Sequence, residues 1–334
     1  MKKIFVTGVP GWLGNRFVDL VASRTLEAQK EPYDLKCFML KDASVANFSN
    51  IRMEILRGDV SDAESLRNAM QGCDYVVHMV GIIHPKRVSD FYEINTQGTQ
   101  NILDEAIRAG VKRIVFISSN APAGFSKPGA LFTEQDLPQP YMNYGRSKYQ
   151  AEQIILNAVK ERKIEGVVLR PCWYYGPGQP ARQTKFFKMI QNGNPILFGD
   201  GSNLRSVSYV DSVVQAILLA LQVEQANGEI FWIADEKPYS SIEIYQTIAN
   251  LLGVKKLCPR KIPGVSSWFF EQLDRLIQAT GNYQQEIHVA GEMARNIACN
   301  VEKAKRILGY KPLVSLEEGM RRSIEWCKKN GINF

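Results

Sequence analysis

Tyr144 and Lys148 stand four residues apart in the run Tyr144-Gly145-Arg146-Ser147-Lys148. Tyr149, Ile154, Ile155 and Val159 follow at helical spacing, so the segment 143–159 is expected to be a helix that sends both side chains from one face. An ammonium beside a phenol favours the phenolate and draws the tyrosine pKa toward working pH. Such a phenol can pass a proton to or from a substrate oxygen. Taken alone, the pair is a surface tyrosine near a surface lysine. Its weight depends on what the rest of the chain brings to it.

The chain opens with Ile4-Phe5-Val6, a short apolar run of strand character, which leads into Thr7-Gly8-Val9-Pro10-Gly11-Trp12-Leu13-Gly14. Phe17, Leu20 and Val21 then mark one side of an amphipathic helix. Strand, glycine turn and helix in that order form a phosphate site: glycine lets the backbone approach a pyrophosphate, and the helix start presents free N–H groups. The spacing is Gly-x-x-Gly-x-x-Gly rather than the general Gly-x-Gly-x-x-Gly. A dinucleotide is therefore expected against Gly8, Gly11, Trp12, Leu13 and Gly14.

Further strands are expected at 35–40, 51–56, 75–80, 113–119 and 167–170, with helices between them. Near-continuous apolar strands alternating with helices imply an α/β fold of the doubly wound, Rossmann type, its parallel sheet covered on both faces. Ligands of such sheets sit at the carboxyl ends of the strands. Gly8, Asp59 with Val60, Met79-Val80-Gly81, Ser119 and Pro171 all fall at those ends.

Bulk properties narrow the partners. The chain has 334 residues, 45% of them hydrophobic and 22% charged, the mixture of a globular protein. Its formal charge of +7 is dispersed, the densest patches being pairs such as Lys255-Lys256 and Arg321-Arg322. Dispersed charge argues against nucleic acid and for a solvated surface biased toward anionic ligands. No apolar run is long enough to span a membrane, and no signal-peptide pattern opens the chain. Six scattered cysteines and three histidines offer no metal spacing, and a reducing cytoplasm is the expected location.

These motifs together resemble the extended short-chain dehydrogenase/reductase family, which contains nucleotide-sugar epimerases and dehydratases. The likeness covers nearly the whole chain. It is carried by the glycine loop, by Gly58-Asp59-Val60, by His78-Met79-Val80-Gly81 and by Asn95-Thr96-Gln97-Gly98-Thr99. Arg170-Pro171-Cys172-Trp173-Tyr174-Tyr175-Gly176-Pro177-Gly178 adds to it. The resemblance implies a Ser119–Tyr144–Lys148 triad with Asn95 nearby. In that triad Ser119 would bond the substrate oxygen, Tyr144 would move the proton, and Lys148 would lower the tyrosine pKa and bind the nicotinamide ribose. It also implies a nucleotide-binding domain over 1–170, to which 205–235 partly return, and a substrate lobe over 171–204 and 236–330.

Cofactor and substrate follow from particular positions. An acid after the second strand accepts hydrogen bonds from the adenosine ribose and repels a 2′-phosphate. That position holds Lys41, followed by Asp42, so NADP is expected; a register shift of one residue would favour NAD. Arg205 falls where the nucleotide-sugar enzymes of the family clamp a diphosphate, for which a guanidinium fork is suited; an ordinary surface arginine is the competing reading. Trp173 and Tyr174 would line the substrate beside the nicotinamide end. Ser119-Asn120-Ala121 carries no acid to protonate a leaving hydroxyl, which disfavours 4,6-dehydration.

An epimerase or reductase acting on a nucleotide sugar is the leading expectation. A dehydrogenase resembling 3β-hydroxysteroid dehydrogenases or dihydroflavonol reductases is the second, and a non-catalytic dinucleotide-binding regulator the third. Val265, Trp268, Phe269 and Leu276 form a helical apolar stripe, expected to be core or a lid over a greasy substrate. Relatives in the resembling family often dimerise through two helices, so a homodimer is an expectation.

Overall fold

The computed structural model describes residues 1–46 and 48–334. Seven strands form one sheet: β1 (Lys2–Thr7), β2 (Tyr33–Met39), β3 (Glu54–Arg57), β4 (Tyr75–His78), β5 (Arg113–Ile117), β6 (Glu165–Pro171) and β7 (Ile230–Ile233). Their spatial order is β7-β6-β5-β4-β1-β2-β3, and every neighbouring pair is parallel. All carboxyl ends therefore meet along one edge. The order reverses between β1 and β4, which opens the crevice there.

The helices are α1 (Trp12–Ser23), α2 (Gly98–Arg108), α3 (Met142–Lys160), α4 (Ala181–Gln191), α5 (Val210–Gln222), α6 (Ser241–Leu251), α7 (Val265–Ala279), α8 (Gln285–Glu292), α9 (Glu302–Leu308) and α10 (Leu316–Lys329). Period-two alternation sorts the strand side chains between two cores. Ile4, Val6, Val115 and Val167 meet α1 and α5 on one face; Phe5, Val76, Ile114 and Val168 meet α2 and α3 on the other. This is the doubly wound arrangement expected from the strand pattern. A third core, with Phe187, Ile190, Leu197, Tyr245, Ile248, Met320 and Ile324, builds a smaller lobe from α4, α6 and α10. There Ser240 accepts from the Glu243 N–H at 3.1 Å and Glu243 answers the Ser240 N–H, a reciprocal cap on α6.

Several boundaries differ from the sequence reading. The third strand is 54–57 rather than 51–56, because Ile51 and Met53 turn inward against the first core and ladder pairing starts only where Glu54 meets Lys36. The helix expected from residue 95 begins as a π-helical stretch, Phe91–Gln97, before α2. Segment 299–310 lies with the sheet, not in the lobe: Cys299, Val301, Ala304, Leu308 and Tyr310 join the first core. The stripe Val265, Trp268, Phe269 and Leu276 is not core, since all four are exposed on α7. Among the described residues, no helix is long and apolar enough to cross a membrane, and no group of three or more His, Cys, Asp or Glu side chains is placed to hold a metal.

Candidate active site

The glycine loop closes on itself. Gly8 adopts φ +85°, and a Cβ on Gly14 would stand 2.3 Å from the Gly8 carbonyl oxygen, so α1 can approach β1 only with glycine at both places. Gly11 is the N-cap and supplies no side-chain cap to the first turn. The N–H groups of Trp12, Leu13 and Gly14 in that turn have no intrahelical acceptor and face the crevice mouth. This cradle fits a pyrophosphate. The Trp12 indole is used differently: its Nε1 donates to the Pro177 carbonyl at 2.7 Å and its ring meets Tyr174 edge-on at 6.1 Å. Trp12 thus ties the loop to the turn that follows β6.

Ser119, Tyr144 and Lys148 converge at the ends of β4, β5 and β6. Gly145 makes this local: a Cβ there would stand 2.7 Å from the Ala121 carbonyl, so α3 leans directly on the loop after β5. Met142, at the start of α3, takes the left-handed φ of 51°. The Ser119 hydroxyl hydrogen-bonds Tyr144, whose half-buried ring rests 5.8 Å from Phe91. Ser118, one residue earlier, is turned away and donates to Glu152 Oε1 at 2.6 Å. Lys148 is buried, donates to the Ile117 carbonyl at 2.8 Å, and lies 4.1 Å from the centre of the Phe116 ring.

The charge balance differs from the sequence expectation. Tyr144 was expected to be acidified by Lys148. Burial instead pushes the phenol up to about 12, against the opposing pull of the Ser119 hydrogen bond. Burial also pushes Lys148 down to about 7, with Glu152 one turn away opposing it. An amine that gives up its own charge so readily in the dry site does little to hold a phenolate. His78 is kept neutral beneath the pair: burial, then the charge of Lys148, lower it to about 3, and its ring nitrogens bond Thr7 Oγ1 at 2.8 Å and Thr99 Oγ1 at 3.1 Å.

Asn95 fastens rather than reaches. Its Oδ1 accepts from the Ile82 N–H at 2.8 Å, while Nδ2 donates to the Ile82 carbonyl and to Ser147 Oγ, both at 3.1 Å. The side chain ties the loop after β4 to α3. Below, Arg170 of β6 grips Glu152 at 2.8 and 2.6 Å, all of it buried.

Along the edge, Met79 donates its N–H to Thr7 Oγ1 at 3.2 Å and its backbone presses on Gly8. Gly81 is exposed beside Asn95 and Lys148, with Val80 packed behind it in the second core. Asp59 accepts from the Ser61 N–H and hydroxyl at 2.9 and 2.8 Å, and Val60 is buried with its carbonyl held by Asn101. Lys41 and Asp42 are both exposed in the turn after β2. The Arg57 guanidinium braces that turn, donating to the carbonyls of Leu40 and Ala43 at 2.9 and 2.7 Å. Pro171, buried at the end of β6, pairs with Ile233.

Across the crevice, Arg205 donates to the Glu292 carbonyl at 2.6 Å, and burial lowers its pKa. Trp173 packs edge-on against Phe186 at 5.5 Å and so belongs partly to the lobe core, while the Tyr174 phenol lies close enough to Tyr144 for their charges to couple. Two further charges act on this space that sequence reasoning missed. Arg182 opens α4, and its charge favours the Tyr144 phenolate; Glu292 closes α8, and its charge opposes it. A cation in a first helical turn and a carboxylate in a last one both run against the helix dipole, the signal that could have singled them out once helix ends were known.

The chain belongs to the NAD dependent epimerase/dehydratase family, whose description matches residues 4–234. Among its relatives, an uncharacterized protein of Sinorhizobium fredii, y4nL, is 39% identical, covering 99% of this chain and 96% of that one. UDP-glucose 4-epimerase of Vibrio cholerae is 26% identical and covers 97% and 95%. Mouse 3 beta-hydroxysteroid dehydrogenase type 7 is 27% identical, again covering 97% and 95%. The fold is also that of the Thermotoga maritima UDP-glucose 4-epimerase solved with UDP-glucose, at a TM-score of 0.78 and 24% identity over 98% of this chain and 99% of that one.

Proposed function

We propose that this protein is a nicotinamide-dependent epimerase or reductase that works at a hydroxyl or keto carbon of a nucleotide sugar. The observation that carries the reading is the convergence of Ser119, Tyr144 and Lys148 at the carboxyl ends of the strands, with Arg205 and Arg182 opposite. When bound, the dinucleotide takes or gives the hydride. Tyr144 gives or takes the proton at its hydroxyl oxygen. Ser119 holds the substrate oxygen in line, and Lys148, close to neutral at physiological pH, accepts or returns the proton behind the phenol. Arg205 and Arg182 supply cationic donors suited to a diphosphate. Ser119-Asn120-Ala121 has no acid for a leaving hydroxyl, which supports epimerisation or reduction over 4,6-dehydration.

NADP is the cofactor this reading favours, because exposed Lys41 and the neighbouring Arg57 make the turn after β2 suited to a 2′-phosphate. A second reading, oxidation of an apolar alcohol of steroid type, is supported by the kinship with the mouse hydroxysteroid dehydrogenase. One thermal-shift panel separates them: UDP-, GDP- and dTDP-sugars against sterols, each with NAD and with NADP. The expected result is stabilisation by nucleotide sugars only, larger with NADP. Stabilisation by sterols alone removes the first reading, and a larger shift with NAD removes the cofactor assignment.

A further inference from the structure

Helix α7 is built inside out. Its buried side chains are Ser267, Glu271, Asp274 and Gln278. Its exposed ones are Val265 (61%), Trp268 (49%), Phe269 (62%), Leu273 (43%) and Leu276 (68%), gathered on the opposite arc of the helix. The inward face is pinned: Glu271 pairs with Arg275 and Arg295, Asp274 with His288, and Gln278 with Asn143. The Glu271–Arg275 pair lies within the helix and would turn with it, but turning the apolar face inward would unpair Glu271 from Arg295, Asp274 from His288 and Gln278 from Asn143. The stripe therefore faces outward in the working protein, and a monomer in water gains nothing from it.

The chain leading into α7 says what covers it. Lys255, Lys256, Arg260 and Lys261 are exposed, and among the described residues none takes part in an ion pair. No acid occurs between Glu243 and Glu271. The strand Arg260–Ile262 lies parallel to Ile196–Phe198, which adds the exposed Ile196 beside it, and Phe198 meets Phe270 of α7 at 6.3 Å. The cation-bearing segment thus lies directly beside α7, with Arg260 and Lys261 on opposite faces of their strand.

The geometry points to an anionic lipid bilayer as the occupant of this surface: Trp268, Phe269 and Leu276 enter the interface while cations of the adjoining basic segment meet lipid phosphates. Indole and phenyl rings favour that depth, and clustered lysine and arginine add attraction to acidic headgroups. A second copy of the chain suits the face less well, because a two-fold contact would bring the same basic segment, in which only Lys261 has an acid (Asp200) near it, toward its copy. This inference is independent of the substrate reading, since it concerns the outer face of α7 and not the cleft.

The test uses the full chain in co-sedimentation with vesicles of phosphatidylcholine containing about a third phosphatidylglycerol, and with pure phosphatidylcholine, at about 0.1 M salt. Binding to the acidic vesicles is expected, weakening with salt and falling about tenfold or more on the neutral ones. The pair Trp268→Ser with Phe269→Ser, and separately Lys255→Gln with Lys256→Gln, should each reduce binding about tenfold. Dinucleotide binding and circular dichroism report folding of both, and the lysine pair lies in a loop where loss of the fold is not expected. The proposal is overturned if the protein stays in solution with acidic vesicles, or if neither folded variant loses binding. It is equally overturned if the variants lose only self-association, which would give the face to a second copy.

Discussion

Beneath the cleft, Arg170 and Glu152 face each other through two hydrogen bonds, with Ser118 completing the set and apolar strands on every side. Above it, α7 turns Glu271, Asp274 and Gln278 inward, and their partners run from Arg295 and His288 to Asn143, the residue next to Tyr144. The floor is a closed set of charges. The roof is not: Asp274 Oδ1, Arg295 Nε and the Tyr141 hydroxyl are buried without a protein partner. A satisfied buried network rigidifies, whereas a partly satisfied one responds to any change of charge nearby. The two halves therefore divide the work. The floor sets the charge near Lys148 through Glu152 one turn away, and the roof holds a titratable chain that reaches Asn143 beside Tyr144.

Three variants probe this division. The largest effect is expected for Tyr144→Phe, which removes the proposed proton carrier and leaves the packing: turnover should fall about 10²- to 10⁴-fold with dinucleotide affinity kept. Equal turnover would mean that another group moves the proton. Next, Glu152→Ala leaves Arg170 buried without a counter-charge and should cost about 3–5 kcal/mol in chemical denaturation. A loss no greater than that of an exposed substitution would show that the floor is not the rigid half.

The smallest effect is expected for His288→Gln, and it depends on pH. Burial alone would lower the His288 pKa, but the Asp274 hydrogen bond and the charges of Glu292 and Asp274 outweigh it and leave it raised. A raised histidine contributes stability that is fully present below its unfolded pKa of about 6.5 and is lost as pH rises through the folded value. The variant should lose about 2 kcal/mol at acidic pH and clearly less at alkaline pH. A loss that grows with pH would show that His288 is held neutral, and the roof would then carry no switchable charge.

Much of the sheet and helix around the floor was legible in the chain, though the Arg170–Glu152 pair was not. Gly8 and Gly14, the apolar strands and the spacing of Tyr144 from Lys148 are local patterns, and each needs only its own neighbours to be read. The structure turns Ser118 toward Glu152 and leaves Ser119 beside Tyr144. The roof was far less legible. Arg182 and Glu292 lie on helices whose ends are weakly marked, and nothing in their sequence neighbourhoods points at Tyr144, 38 and 148 residues away. The stripe of α7 was visible as a period but was assigned to the core or to a lid. A period is unchanged when a helix is turned over, and only the partners waiting on each side decide which face is dry.

By itself, then, the sequence determined the sheet, the glycine loop and the placing of Tyr144 and Lys148 one turn apart on one helix, because those rest on backbone conformation and on contacts within one turn. The tertiary structure alone decided that Tyr144 is raised and Lys148 lowered, and that α7 carries its charges inward. Desolvation is set by every atom around a group, and those atoms come from strands and helices far apart along the chain.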